Sequence, residues 1–116
     1  MRRGEDVEGD PPRDPLGAWR ELFDFTKSAE QEFLRLPSDI RARFETVFPE
    51  FALSPTRWTP SVDVAMLRSS KGRWRLKVEG DLRGVYRVVQ GRALFETFQS
   101  RAEVYEWLNR FLGILI

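Results

Sequence analysis

Between Arg73 and Val78 the sequence RWRLKV alternates strictly, with Arg73, Arg75 and Lys77 at one parity and Trp74, Leu76 and Val78 at the other. Successive side chains on a strand project to opposite faces, so this spacing makes one cationic face and one apolar face. The bias extends well beyond one strand. From Arg68 to Arg101 there are nine Lys or Arg against three acids, Glu79, Asp81 and Glu96, a local net of +6 in a chain whose total is +1. Charge segregated in this way suits an anionic partner, RNA foremost. It also suits the solvated outer face of an antiparallel sheet, and charge alone does not choose between the two. The chain has no His and no Cys. Disulfides, thiolate nucleophiles and Cys-based metal sites are thereby excluded, and acid–base work falls to carboxylates, Lys, Arg and Tyr. Asp24, Asp63 and Asp81 are isolated acids in separate segments, so no metal or other cofactor is expected. Gly80 and Gly91 read as hairpin turns rather than as a phosphate-binding loop.

The elements that must position these residues follow from periodicity. With 116 residues and 41% apolar composition, the chain supports one compact domain. Residues 1–17 hold three prolines, three glycines and eight charges, and are expected to be a disordered N-terminal extension to a single domain over 18–116. A short strand is expected from Trp19 to Phe25. Thr26 or Ser28 then caps a helix with Ala29, Phe33, Leu34 and Leu36 on its buried stripe, Ser28 and Gln31 fitting a capping box, and Pro37 ends it. Ser38 or Asp39 opens a second helix through Ile40, Phe44, Val47, Phe48 and Phe51, which Pro49 is expected to kink or to shorten near Phe48. Residues 54–62 read as a loop with Trp58 folded back onto the core. Strands follow at Val64–Leu67, Trp74–Glu79, Leu82–Val89 and Arg92–Phe98, with turns at Glu79-Gly80-Asp81 and Gln90-Gly91. Arg101 to Ile116 closes the chain as a helix, its last six residues completing the core or yielding to a partner helix. The class is α+β: N-terminal strand, helical hairpin, antiparallel β-meander and C-terminal helix, with the helices on one face of the sheet. No apolar run approaches the roughly 20 residues that span a bilayer, so a cytoplasmic location without membrane association is expected.

The order of these elements and three local sequences, FTKSAEQEFLRLP from Phe25, LRSSKGRWRLKVEGDLRGVYR from Leu67 and RAEVY from Arg101, resemble the RelE/ParE superfamily of bacterial and archaeal toxin–antitoxin toxins. The resemblance implies a toxin neutralised by a cognate antitoxin protein, in a toxin–antitoxin hetero-oligomer. RelE-like members cut mRNA on the ribosome, the 2′-hydroxyl attacking the adjacent phosphate to leave a 2′,3′-cyclic phosphate. ParE-like members instead poison DNA gyrase, and a degenerate member would only bind its antitoxin. Carried over to this chain, the RelE pattern makes Arg75, Lys77, Arg83, Arg101 and Tyr105 the candidate catalytic residues. Lys77 is the candidate base, Arg83 the clamp on the scissile phosphate, and Tyr105 a stacking platform for a base or else a core tyrosine. Arg68, Lys71 and Arg73, with Gln99, are the candidate RNA contacts. Gln99 stands where the pattern has a further arginine, the acid for the leaving group. Arg101 either takes that role or anchors the start of its helix.

Overall fold

The computed structural model describes residues 14–68, 70–78 and 80–112, with residues 111 and 112 by backbone alone. After a 3₁₀ turn at Trp19–Glu21, the order is β1 (Asp24–Phe25), α1 (Lys27–Arg35), α2 (Ser38–Leu53), β2 (Asp63–Met66), β3 (Arg73–Lys77), β4 (Leu82–Val89), β5 (Arg92–Ser100) and α3 (Arg101–Leu112). The five strands form one sheet in the order β1-β5-β4-β3-β2. The meander from β2 to β5 is antiparallel, while β1 runs parallel to β5.

The alternation in β3 sorts the two faces. Trp74, Leu76 and Val78 join Phe23, Phe33, Phe44, Phe48, Phe51, Phe95 and Phe98 in the main core under α1 and α2. Most of the rings meet edge-on or tilted, as in Phe23–Phe48 at 4.8 Å and Phe33–Phe98 at 5.0 Å, while Phe95 and Phe98 stack at 4.9 Å, arrangements that suit aromatic quadrupoles. Gly84 permits this packing: a Cβ there would lie 2.7 Å from the Phe98 ring and 2.9 Å from that of Phe95. Tyr86 is buried in the same core and donates its hydroxyl to the Pro55 carbonyl. On the opposite face, Val85 packs with Val104 and Leu108 of α3. The helices thus cover both faces, α1 and α2 on one and α3 on the other, rather than one face as expected.

A bulge makes this possible. Val85 pairs with Thr97 but Tyr86 with Phe95, so Glu96 has no partner on β4. The extra residue resets the parity of β5: Phe95 and Phe98 both enter the main core, and Glu96 turns to the basic face.

Local signals account for most boundaries. Thr26 rather than Ser28 caps α1, its hydroxyl accepting from the Ala29 N–H at 3.1 Å. Ser100 and Glu103 form a reciprocal capping box at the start of α3: the Glu103 N–H donates to Ser100 Oγ at 3.3 Å and the Ser100 N–H to Glu103 Oε1 at 2.9 Å. Gln90 and Gly91 both have positive φ, 54° and 81°, as a two-residue type I′ hairpin requires.

Four expectations are corrected. The N-terminal strand is two residues long, because the Leu16 carbonyl collects the N–H groups of Trp19 and Arg20 in a turn. Leu16, assigned by composition to the extension, is fully buried in the main core, and residues 1–13 lie outside the described residues. α2 is not shortened near Phe48 but continues through Pro49 to Leu53, its Phe44, Phe48 and Phe51 all buried, so aromatic packing on both sides of the proline outweighs one missing backbone bond. Trp58 is 59% exposed and does not fold back. Of the C-terminal apolar run, the side chains of 111–112 and the whole of 113–116 lie outside the described residues, as does Glu79.

Candidate nucleic-acid interface

Directly paired residues share a face of the sheet, so register reads out the basic surface row by row. One row is Asp63, Lys77, Arg83 and Gln99; the next is Ala65, Arg75, Val85 and Thr97; a third pairs Arg73 with Arg87. α3 lies across these rows on Val85 and divides the face in two.

On the β2 side is a cleft of about 270 Å³ lined by Ala65, Met66, Leu67, Arg68, Arg75, Arg83, Arg101, Val104 and Tyr105. Four arginines rim a partly apolar wall, a combination suited to phosphate beside base. Nη1 of Arg75 donates to the carbonyl and to Oδ1 of Asp63, both at 2.9 Å. Nη1 of Arg83 donates to the Asp81 carbonyl at 2.7 Å and to its Oδ1 at 3.1 Å. The Nε and Nη2 groups of both arginines have no partner among the described residues, leaving each a two-pronged donor edge. Tyr105 is 43% exposed, and the Arg101 guanidinium lies 6.0 Å from its ring centroid. It is a wall residue; Val104 and Leu108 take the core positions of α3. The Arg101 N–H donates to the Asp81 carbonyl at 3.1 Å, so its backbone anchors the helix start while its side chain lines the cleft.

On the β5 side of α3 is a shelf of about 510 Å³ lined by Thr26, Ser28, Glu32, Glu96, Gln99, Trp107 and Arg110. Glu32 of α1 does here what the short β1 does not. Its Oε1 accepts from the Phe98 N–H at 3.0 Å and the Thr97 hydroxyl at 2.7 Å, and its Oε2 from Gln99 Nε2 at 3.2 Å. Glu96, with only a tenth of its side chain exposed, is held by Nε of Arg73 at 2.8 Å and Nε of Arg87 at 2.9 Å. Arg73 also reaches Ser70 through Nη1 and Glu96 Oε2 through Nη2, so its donor groups are committed within the protein.

The sequence-derived candidates therefore separate. Arg68, Arg75, Arg83, Arg101 and Tyr105 meet in one cleft. Lys77 sits beside Arg83 on the adjoining strand, at the end of the same face. Arg73 is paired with Glu96, Gln99 lies on the shelf side, and Lys71 is in the exposed turn before β3. Asp63 and Asp81 were not among the candidates, yet both hold cleft arginines. Asp81 stands two residues before Arg83 and was open to notice; Asp63 and Arg75 come together only through strand register. Among the described residues no group of three or more acids is placed to hold a metal ion, and no helix is long and apolar enough to cross a membrane.

No family profile matches the sequence, and no curated protein is found similar to it. Solved structures are similar. A chain of the RelB-RelE antitoxin-toxin complex from Methanococcus jannaschii matches with a TM-score of 0.59 at 18% identity, over 72% of this chain and 96% of that one. The YoeB/ParE toxin from Agrobacterium tumefaciens matches with 0.57 at 16% identity, over 68% and 96%. A chain of the E. coli DinJ-YafQ toxin-antitoxin complex matches with 0.52 at 13% identity, over 72% and 94%. At these identities the likeness is one of fold, and this chain has a RelE/ParE-like toxin fold.

Proposed function

We propose that this chain is the toxin of a type II toxin–antitoxin pair and a ribosome-dependent mRNA endoribonuclease. The observation that carries the reading is the meeting of Arg75 and Arg83, each with an open Nε–Nη2 edge, in one cleft walled by Tyr105. In the proposed reaction a nucleobase stacks on Tyr105 and the scissile phosphate lies between the two guanidinium forks. Lys77 takes the proton of the 2′-hydroxyl, whose oxygen attacks the adjacent phosphorus. The P–O bond to the 5′-oxygen of the next nucleotide breaks, that oxygen is protonated from Arg101, and a 2′,3′-cyclic phosphate remains. The forks stabilise the charge that builds on the phosphorane oxygens. The partner is a cognate antitoxin, in keeping with the RelB-RelE and DinJ-YafQ complexes among the similar structures.

A second reading is a ParE-like toxin that binds DNA gyrase without cutting RNA. It is favoured by Gln99, whose amide is bonded to Glu32 at a place where the RelE pattern has a cation. One experiment separates the two: purified protein is incubated with programmed ribosomes and mRNA ends are mapped. The endoribonuclease reading expects cuts with cyclic-phosphate ends, reduced about a hundredfold in Lys77→Ala and in Arg83→Ala. Undiminished cutting by both variants would remove the site assignment. Intact mRNA together with gyrase-dependent DNA damage would establish the second reading.

A further inference from the structure

Asp63 and Asp81 do not line the basic cleft, yet each grips one of its arginines in the same way. Asp63 opens β2, and its register partner is Lys77, two residues along β3 from Arg75. Asp81 immediately precedes β4, two residues before Arg83. In both pairs a single nitrogen, Nη1, donates to the backbone carbonyl and the carboxylate of one aspartate. Nη1 carries two N–H groups, so the grip uses up that corner and leaves Nε and Nη2, whose parallel N–H bonds match two oxygens of a phosphate.

We infer that Asp63 and Asp81 are positioning residues of the cleft, fixing Arg75 and Arg83 at Nη1 so that the Nε–Nη2 edge of each faces an RNA phosphate. The inference rests on the reading of the cleft as an RNA site. Two observations support a device rather than chance pairing. The same grip recurs on arginines of different strands, one set by cross-strand register and one by a turn. The arginine side chains are the more buried members, Arg75 at 21% and Arg83 at 14% exposed, whereas Asp63 and Asp81 are 44% and 65% exposed. An arginine ordered before its ligand arrives does not lose that freedom on binding, which favours a tighter and geometrically defined phosphate contact.

The test must separate hydrogen bonding from charge, because removing an aspartate also removes a negative neighbour. Asn keeps the Oδ1 acceptor without the charge and Ala keeps neither. The probe is a fluorescein-labelled 2′-O-methyl oligouridylate, which cannot be cleaved, and its binding to the full chain is read by anisotropy. Asp81→Asn and Asp63→Asn are expected to bind as tightly as the parent or more so. Asp81→Ala and Asp63→Ala are expected to bind about fivefold to tenfold more weakly than the corresponding Asn variants. In an Arg83→Ala background the Ala–Asn difference at position 81 should vanish. Equal binding by Ala and Asn variants, or a difference that persists without Arg83, overturns the inference. Asp81 lies in an exposed turn, so its variants keep the sheet intact, and thermal unfolding curves check this. Undiminished binding by both Arg75→Ala and Arg83→Ala would instead overturn the RNA site itself.

Discussion

The two sides of α3 use the same residue types to opposite ends. On the β2 side, carboxylates take arginines by the Nη1 corner and leave the forked edge without a partner among the described residues. On the β5 side, Glu96 takes Arg73 by the fork itself, at Nε and Nη2, and is nearly buried in doing so. A carboxylate on the corner orients an arginine for a ligand, and one on the fork commits it to the fold. The count of cations in the strands is therefore a poor guide to which of them are free to meet a ligand. Burial of the acid and the edge it contacts decide which cations remain available.

The largest effect that sharpens this contrast is a pair of opposite losses. Arg83→Ala is expected to lose about a hundredfold in mRNA cleavage, close to 3 kcal/mol of transition-state stabilisation, at nearly unchanged stability. Arg73→Ala should keep its cleavage and lose about 2 kcal/mol of stability, because Glu96 is left buried with Arg87 alone. Urea unfolding beside the ribosome assay reads both, and a cleavage defect in a stable Arg73→Ala would break the distinction. A somewhat smaller effect is expected on the shelf. Glu32→Ala deprives Thr97, the Phe98 N–H and Gln99 of their acceptor and should cost about 1–2 kcal/mol without touching catalysis. Loss of cutting at full stability would show that shelf and cleft act as one site. The smallest effect is in salt dependence. Arg68→Ala should reduce the slope of log K against log salt for single-stranded RNA by about 0.7, and Lys71→Ala, outside the cleft, should leave it unchanged.

Several features were legible in the sequence because they depend on neighbours along the chain. The alternation of RWRLKV placed Arg73, Arg75 and Lys77 on one face, and the Gln90-Gly91 pair marked its hairpin. The Ser100–Glu103 capping box was equally local and could have been read from its spacing. Other features were not local. Pro49 stays inside α2 because Phe48 and Phe51, on either side of it, pack against Phe23 and Phe95 from elsewhere in the chain, a gain that helix propensity does not contain. Leu16 was masked by the polar composition of its neighbours, although one apolar side chain suffices to draw a turn into the core. Helical periodicity places Tyr105 beside Val104 and leaves it between core and site; the packing of Val104 and Leu108 on Val85 is what leaves it on the cleft wall.

By itself, the sequence determined that any chemistry here runs without histidine or cysteine, that β3 has one cationic and one apolar side, and that a meander precedes the last helix. Those are matters of residue type and of periods of two or 3.6 positions, which the backbone enforces locally. Only the tertiary structure decided which arginines remain open. Arg75 reaches Asp63 through the register of β2 on β3, and Arg73 and Arg87 reach Glu96 because a bulge in β5 turns it to their face. Register and bulge are settled by the packing of the whole sheet between its helices, and a shift of one residue would exchange every partner.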